Sequence, residues 1–470
     1  MYQRYLFSVF IVFSLIFYSC TDTSSTVDQP PEILTQGRFS AFIGEDFSLI
    51  IDTDDPQGLP VEVIAKNLPP WLTFFPDGAR MSGLPTEMDA GLYQIEVEAT
   101  NGTHSYSATI QVQVFVNQTE ATFQNAIDEM VRTRTPGLQG LAVSVIDTDQ
   151  NLYRAFTGTH GSGFNAPAVD HTNLFRVASV TKPMTTAIVL KLVEEGVLSL
   201  DDKLADHYET LLPNSGSMTI RQILSHTAGV FDHLNSNSFW GHPSFSPTKI
   251  WTVDEIVEFA RNNGPLFSPG SGYGYSNTAF YVLGALIEEV TGLNLSDAYT
   301  QYVFEPLGLE NILYDNFSTS SNPIDGLSLN PRSYEYHLTA VSSAGAIAAN
   351  PTDVAEFGRM FYGGRFLSDE LTSKLNENIG ADFGGQNYGL GTRIWDIGGI
   401  PHHGHTGALL DYRNILMYIP ETDLTISIHT QDVHSNWFVL VDEIFDFSMS
   451  HFSAGAAKAL PFVYGSTPRE

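Results

Sequence analysis

Ser179 and Lys182 stand three residues apart in Ser179-Val180-Thr181-Lys182, a spacing that puts a hydroxyl and an amine on one face of a helical turn. A serine hydroxyl attacks a carbonyl carbon only when a base within hydrogen-bond reach takes its proton. A lysine serves once burial lowers its proton affinity from the solution value near 10.4. The pair therefore reads as nucleophile and activating base of an acyl-transfer centre, provided a helix holds them. The sequence offers one: Ser179 as N-cap, Pro183 in the first turn where no intrahelical N–H is lost, Met184, Ile188 and Leu192 at helical spacing, and Gly196 as terminator. Alone, a Ser-x-x-Lys is more often an ordinary capped amphipathic helix.

The pattern gains weight from its company. Phe267-Ser268-Pro269-Gly270 leads to Tyr275-Ser276-Asn277, and His405-Thr406-Gly407 follows much later. In this order the three motifs resemble the penicillin-recognising serine hydrolases, the family of class C β-lactamases, D-alanyl-D-alanine carboxypeptidases and their esterase relatives. The resemblance runs from about residue 122 to about residue 452. It includes Pro136-Gly137 before an apolar strand, the turn Gly196-Val197-Leu198-Ser199-Leu200-Asp201-Asp202, the segment Ile223-Leu224-Ser225-His226-Thr227-Ala228-Gly229, and Tyr388-Gly389-Leu390-Gly391. It implies an acyl-enzyme on Ser179. Lys182 and Tyr275 both remain candidates for the base, the latter as a phenolate stabilised by the neighbouring ammonium that later protonates the leaving group. Asn277 would position Lys182 and meet the substrate's amide. The backbone N–H groups of Ser179 and Ala408 would hold the oxyanion, and Thr406 and Gly407 would contact substrate.

His405 stands where a lysine is commonest in the β-lactamases. A lysine there is a permanent cation for a substrate carboxylate, whereas a histidine near 6.5 is mostly neutral at pH 7, so carboxylate recognition is expected to be weaker or pH-dependent. His-Thr-Gly is the form of some D-peptidases, aminopeptidases and esterases of the group, and the expectation shifts toward D-amino-acid peptides, peptidoglycan fragments or small esters. No Glu-x-x-Leu-Asn lies between the second and third motifs, so water activation would fall to Tyr275 and its neighbours. His402, His403 and His405 do not make a metal site, because only the latter two share a strand face and no further ligand cluster completes a tetrahedron. His226 reads as a structural turn residue. No Gly-x-Ser-x-Gly supplies a rival nucleophile, and no cofactor is implied.

The elements that must hold these residues follow an α/β pattern: strands over 141–146 and 152–156, a mainly helical middle over 181–360, strands between 389 and 428, and a helix over 437–449. The resembled fold implies one antiparallel sheet flanked by helices, with the helical half across a groove from it. The aromatic and Pro/Gly-rich stretch 239–246 is a candidate rim loop for substrate choice.

Ahead of this hydrolase domain (122–452), residues 31–116 alternate as strands over 47–51, 93–99 and 107–115 between Gly, Pro and Asp turns, which predicts a small all-β sandwich. Its Leu68-Pro69-Pro70-Trp71-Leu72 and Ser82-Gly83-Leu84-Pro85-Thr86 resemble bacterial Ig-like and cadherin-like modules, so a spacer role or a surface ligand is expected. The acidic stretch 52–56 reads as a solvated turn in preference to a calcium loop. Residues 5–18 are almost wholly apolar, follow Arg4 and end at Ser19-Cys20, a run too short for a membrane span of about twenty residues and matching a secretory signal (1–20). Cys20 is the one cysteine in 470 residues, so no intramolecular disulfide is available, and its place resembles the lipidated cysteine of bacterial lipoproteins. Residues 21–30 would then be a tether, 453–470 a C-terminal tail, and the protein an envelope lipoprotein held to the membrane by lipid. With 53 acidic against 22 basic residues the net charge is −31, which repels nucleic acid and argues against peripheral binding to anionic lipid. Besides the leading reading of an exported serine hydrolase stand a class C-like β-lactamase using the same residues, and a silent surface binding protein.

Overall fold

The computed structural model describes residues 29–159, 167–208, 210–243, 248–315, 337–380, 387–409, 411–432 and 436–453. The apolar signal run, Cys20, residues 21–28 of the tether and residues 454–470 of the tail lie outside them. Among the described residues no helix is long and apolar enough to cross a membrane. The chain forms two compact units that divide between Val114 and Phe115.

The first unit is a β-sandwich. A four-stranded sheet runs Arg38–Phe42, Ser105–Phe115, Gly91–Thr100, Glu62–Lys66, and a three-stranded one Phe47–Ile50, Arg80–Gly83, Leu72–Phe75. Alternation sets the inner face: Ile95, Val97 and Ala99 are buried while the intervening Glu96 and Glu98 reach solvent. Ile95 pairs with Ile110, and Met81 and Leu72 of the other sheet close the same core. Trp71 packs edge-on against Phe47 and Tyr93. In the acidic turn the Asp55 carboxylate accepts from the N–H groups of Gln57 and Leu59 and from the Asn101 amide. These bonds, that of Leu59 foremost, hold its carboxyl below the usual range.

The second unit carries α1 (Gln118–Arg134), β1 (Leu141–Ile146), β2 (Leu152–Thr157), α2 (Thr181–Glu194), α3 (Asn277–Thr291), α4 (Pro351–Tyr362), β3 (Arg393–Ile397), β4 (Ile400–Leu409), β5 (Tyr412–Ile419), β6 (Leu424–Thr430) and α5 (Trp437–Phe452), with shorter elements between. The strands form one antiparallel sheet in the order β2-β1-β6-β5-β4-β3. α1 and α5 cover one face through Phe123, Ile127, Leu440, Ile444 and Phe445. On the other face α4 lies against β1, β5 and β6. Strands β1 and β6 are consequently buried along their whole length: β1 is apolar but for Ser144, whereas β6 alternates Leu424, Ile426 and Ile428 with Thr425, Ser427, His429 and Thr430, all of them buried. The antiparallel sheet flanked by helices is the expected architecture.

Two features depart from the expectations. α1 was not foreseen, although Asn117 caps it by accepting from the Glu120 N–H. The middle of the unit also holds a small three-stranded sheet, Phe175–Arg176, Ile347–Ala349 and Ile312–Tyr314. Strands of two or three residues drawn from distant sequence leave no periodic trace. Beside this sheet Arg176 and Asp315 form an ion pair at 3.1 Å with both side chains buried.

Candidate active site

Ser179 lies in a 3₁₀ turn, Ala178–Val180, that runs straight into α2. The expected serine N-cap is not formed: Val180 occupies that position without a side-chain cap, because the Ser179 hydroxyl is engaged elsewhere. Gly196, in the left-handed region at φ +72°, follows the helix end as expected. The turn is sharp. Ala178 sits at φ +53°, a conformation costly for a residue with a Cβ and met mostly at functional sites. Neighbours over-determine it: the Val177 N–H donates to the Ile347 carbonyl, and Thr181 Oγ1 accepts from the Ile347 N–H. β4 presses on the turn from the sheet side so closely that a Cβ on Gly407 would lie 2.1 Å from the Val177 carbonyl oxygen. The glycine of the third motif is thus what lets the strand carrying Thr406 and Ala408 approach the serine.

Lys182, one turn on, is wholly buried. Its Nζ lies 3.0 Å from Ser179 Oγ, 2.8 Å from Asn277 Oδ1 and 2.8 Å from the Ala344 carbonyl. Burial drives its pKa down to about 7; Arg393 adds to the effect and Asp232 opposes it. The Tyr275 hydroxyl donates to the same Ser179 Oγ at 3.1 Å. Burial pushes that phenol upward, against the pull of Arg393 and of the Ser179 hydrogen bond. Lysine is therefore the member that exchanges a proton near neutral pH, and tyrosine holds its own. Ser179 is partly exposed, so the group all others point at is the one a substrate can reach.

The second motif is placed by the entry into α3. Ser276 caps this helix by accepting from the Ala279 N–H, which makes Asn277 its first residue. His226 props the preceding loop: its Nδ1 accepts from the Ser276 N–H at 3.2 Å, and its ring packs on Tyr275 at 4.3 Å and Tyr388 at 4.7 Å. Burial foremost holds His226 neutral, in keeping with a structural part. The 226–229 segment pairs with 266–274 through Leu266 N–H to Gly229 O and Gly274 N–H to His226 O. A Cβ on Gly229 would meet the Phe267 carbonyl at 2.1 Å, so the two motifs can lie together only with glycine there.

The third motif behaves differently from expectation. His405 is fully buried; its Nδ1–H donates to the Thr406 carbonyl at 2.6 Å, and the Tyr388 hydroxyl donates to its Nε2 at 3.0 Å. Burial first, then Arg393 and Lys182, hold it well below the ordinary histidine value. A histidine so enclosed stays neutral through the working range, and a carboxylate recognition tuned by its titration is not supported. A permanent cation stands in this region instead, Arg393, which sequence reasoning overlooked. It stands on β3 opposite Gly404, with its guanidinium carbon 5.6 Å from the centre of the Tyr275 ring. The available signal was an arginine two residues after Gly391 on the strand that had to pair with the third motif.

Other candidates fall elsewhere. In the supposed rim stretch Phe239 is buried among Trp251, Phe259 and His233, Trp240 is exposed, and residues 244–246 lie outside the described ones. His402 packs on Trp395 and Phe445, away from His405. Among the described residues no three His, Cys, Asp or Glu side chains group as metal ligands.

A helix-flanked antiparallel sheet with a Ser-Lys-Tyr cluster at the root of a buried helix marks the class of serine hydrolases built on the β-lactamase fold. The chain belongs to the β-lactamase family, whose model matches residues 122–448, and a putative Ig domain matches residues 30–115. It is 26% identical over 284 residues to Penicillin-binding protein 4* of Bacillus subtilis (strain 168), covering 53% of this chain and 60% of that protein. To Esterase EstB of Burkholderia gladioli it is 33% identical over 200 residues, covering 39% of this chain and 48% of the esterase. The chain thus spans less than two thirds of both relatives. Among solved structures, D-amino acid amidase from Ochrobactrum anthropi SV3 with L-phenylalanine superposes with a TM-score of 0.60 at 24% identity over 69% of this chain and 98% of the amidase, a likeness of fold.

Proposed function

We propose that this protein is an envelope-anchored serine hydrolase that cleaves an amide or ester through an acyl-enzyme on Ser179. The observation that carries the reading is the convergence of Lys182 Nζ and Tyr275 OH on the one partly exposed hydroxyl, at 3.0 and 3.1 Å. In acylation neutral Lys182 takes the Ser179 proton as Oγ attacks the carbonyl, and the N–H groups of Ser179 and Ala408 receive the oxyanion. Collapse breaks the scissile bond, and the Tyr275 hydroxyl protonates the leaving group, its phenolate then facing the Lys182 ammonium and Arg393. Water attacks the acyl-enzyme in turn, returning a proton to Tyr275 while Lys182 returns the other to Ser179. The balance closes without a cofactor.

Arg393 takes the place of the missing motif lysine as the cation for a substrate carboxylate, which suits D-amino-acid peptides and peptidoglycan fragments; small esters need no such partner. Envelope anchoring rests on Cys20 at the end of the apolar 5–18 run, and radiolabelled palmitate incorporation lost in Cys20→Ser would test it. The Ig-like unit serves as a spacer. The activity is tested by turnover of an acyl-D-Ala-D-Ala peptide, a short-chain chromogenic ester and penicillin. Turnover of the peptide or ester with a lasting penicillin adduct supports the reading, whereas rapid penicillin hydrolysis with neither of the others replaces it with a β-lactamase.

A further inference from the structure

Asn277 works only in one orientation. Its Oδ1 must face Lys182, because an amide NH₂ turned toward the ammonium would place donor against donor, and turned toward the neutral amine it would take the lone pair that the Ser179 hydroxyl needs. Nothing within α3 decides between the two flips of a terminal amide. The decision comes from Asp232, three residues beyond Gly229 on the loop that packs beside α3. Its carboxylate is 5% exposed; Oδ2 accepts from Asn277 Nδ2 at 2.9 Å, and Oδ1 caps the next turn by accepting from the Leu234 N–H at 3.1 Å. An ionised carboxylate only accepts, so the amide nitrogen must face it and the amide oxygen must face the lysine. The adjacent His233 grips the adjacent Thr278: the His233 N–H donates to Thr278 Oγ1 at 2.8 Å, and the imidazole is fixed between Thr278 and the Ala340 carbonyl. Two consecutive loop residues thereby clamp two consecutive residues at the start of α3.

We infer that Asp232 is a positioning residue of the catalytic centre, fixing the Asn277 amide so that the lone pair of neutral Lys182 points at Ser179. This inference rests on the hydrolase reading above. The geometry behind it is a count of acceptors. Asn277 Oδ1 and the Ala344 carbonyl take two hydrogens of the Lys182 amine, which leaves its lone pair for the Ser179 hydroxyl. Were the amide free to flip, Lys182 would lose one of those acceptors and its lone pair would not be directed.

The carboxylate also acts through its charge. Lys182 is surrounded by Tyr275 from the second motif, His226 and His233 from the loop, His405 on β4 and Arg393 on β3. The histidines are held neutral, His233 near 4 and the other two well below the ordinary value, and Tyr275 keeps its proton. Asp232 is thus the anion that opposes burial and Arg393 in setting the lysine. Removing its charge lowers the Lys182 pKa, and an unlocked Asn277 amide acts in the same direction.

The test compares wild type with Asp232→Asn, which keeps size and loses both charge and the one-way acceptor, and with Asp232→Glu, which keeps the charge. Two readouts are used: the Lys182 Nζ titration followed by NMR of lysine-labelled protein, and kcat and KM for a neutral chromogenic ester. In Asp232→Asn the lysine is expected to titrate about one pH unit or more lower. kcat is expected to fall about tenfold or more with KM little changed, and Asp232→Glu should restore the titration. Asp232→Ser, which can still cap Leu234, replaces Asp232→Asn if the latter does not fold. A lysine that titrates alike in wild type and the neutral variants overturns the inference and leaves Asp232 a turn cap. The titration needs no turnover, so a shifted lysine in a protein that forms no Ser179 adduct would retain the inference and remove the hydrolase reading.

Discussion

Acylation of Ser179 should follow the deprotonation of Lys182, and the structure fixes where on the pH axis this falls. Burial brings the lysine from its ordinary value of 10.5 to about 7. The neutral fraction is then about 0.1 at pH 6, about 0.5 at pH 7 and about 0.9 at pH 8, a rise of roughly ninefold followed by a plateau. An unburied lysine at 10.5 would be about 0.3% neutral at pH 8, and its rate would climb about tenfold with each further pH unit. Tyr275 is pushed upward and His405 downward, so neither adds an inflection between pH 6 and 9. The assay is the pre-steady-state burst of a chromogenic short-chain ester, which isolates acylation from later steps, read from pH 5.5 to 10. A single rise centred near 7 with a plateau above 8 is expected. A rate still climbing at pH 9 would mean that Lys182 is not desolvated as the structure has it, and a fall between pH 6 and 8 would assign the proton to another group.

Gly407→Ala forces a Cβ to within 2.1 Å of the Val177 carbonyl oxygen, so β4 must move off the serine turn; kcat/KM for the ester is expected to drop about a hundredfold, with the fold losing about 1–3 kcal/mol in urea denaturation. Unchanged kinetics would show that the turn tolerates the displacement. Arg393→Gln removes the cation beside Tyr275, so KM for an acyl-D-Ala-D-Ala peptide should rise about tenfold or more while a neutral ester keeps its KM; equal losses on both would deny Arg393 a carboxylate role. Asp315→Ala removes the buried carboxylate that pairs with the Arg176 guanidinium and is expected to cost about 3–5 kcal/mol of stability, measured by denaturant unfolding. A cost under about 1 kcal/mol would mean that other partners of Arg176 suffice.

The motif residues were legible because chemistry constrains their type and local structure constrains their spacing. Ser179 and Lys182 share a turn, and Tyr275 and Asn277 flank the Ser276 cap of α3. The two-sheet module was legible from alternation, since one face of each strand is wet, and β1 from its nearly continuous apolar run, since both its faces are covered; β6 alternates although its polar residues are buried too. What escaped is what depends on non-local approach. Arg393 joins the site only through the β3–β4 register, and Asp232 through the packing of its loop on α3. The environment of His405 was misjudged for the same reason: solution chemistry gives a histidine near 6.5, and only the enclosing Tyr388, His226 and Arg393 make it a fixed neutral strut. The choice between Lys182 and Tyr275 as base likewise turns on burial, which one sequence does not disclose.

The central claim is that Ser179 is the atom acylated, and the direct measurement is intact-mass analysis of wild type and Ser179→Ala after exposure to a fluorophosphonate, with the adduct located by peptide fragmentation. One stoichiometric adduct is expected on the peptide holding Ser179, formed faster at pH 8 than at pH 6 and absent from the folded Ser179→Ala variant. An adduct on another residue, or equal labelling of both proteins, would contradict it.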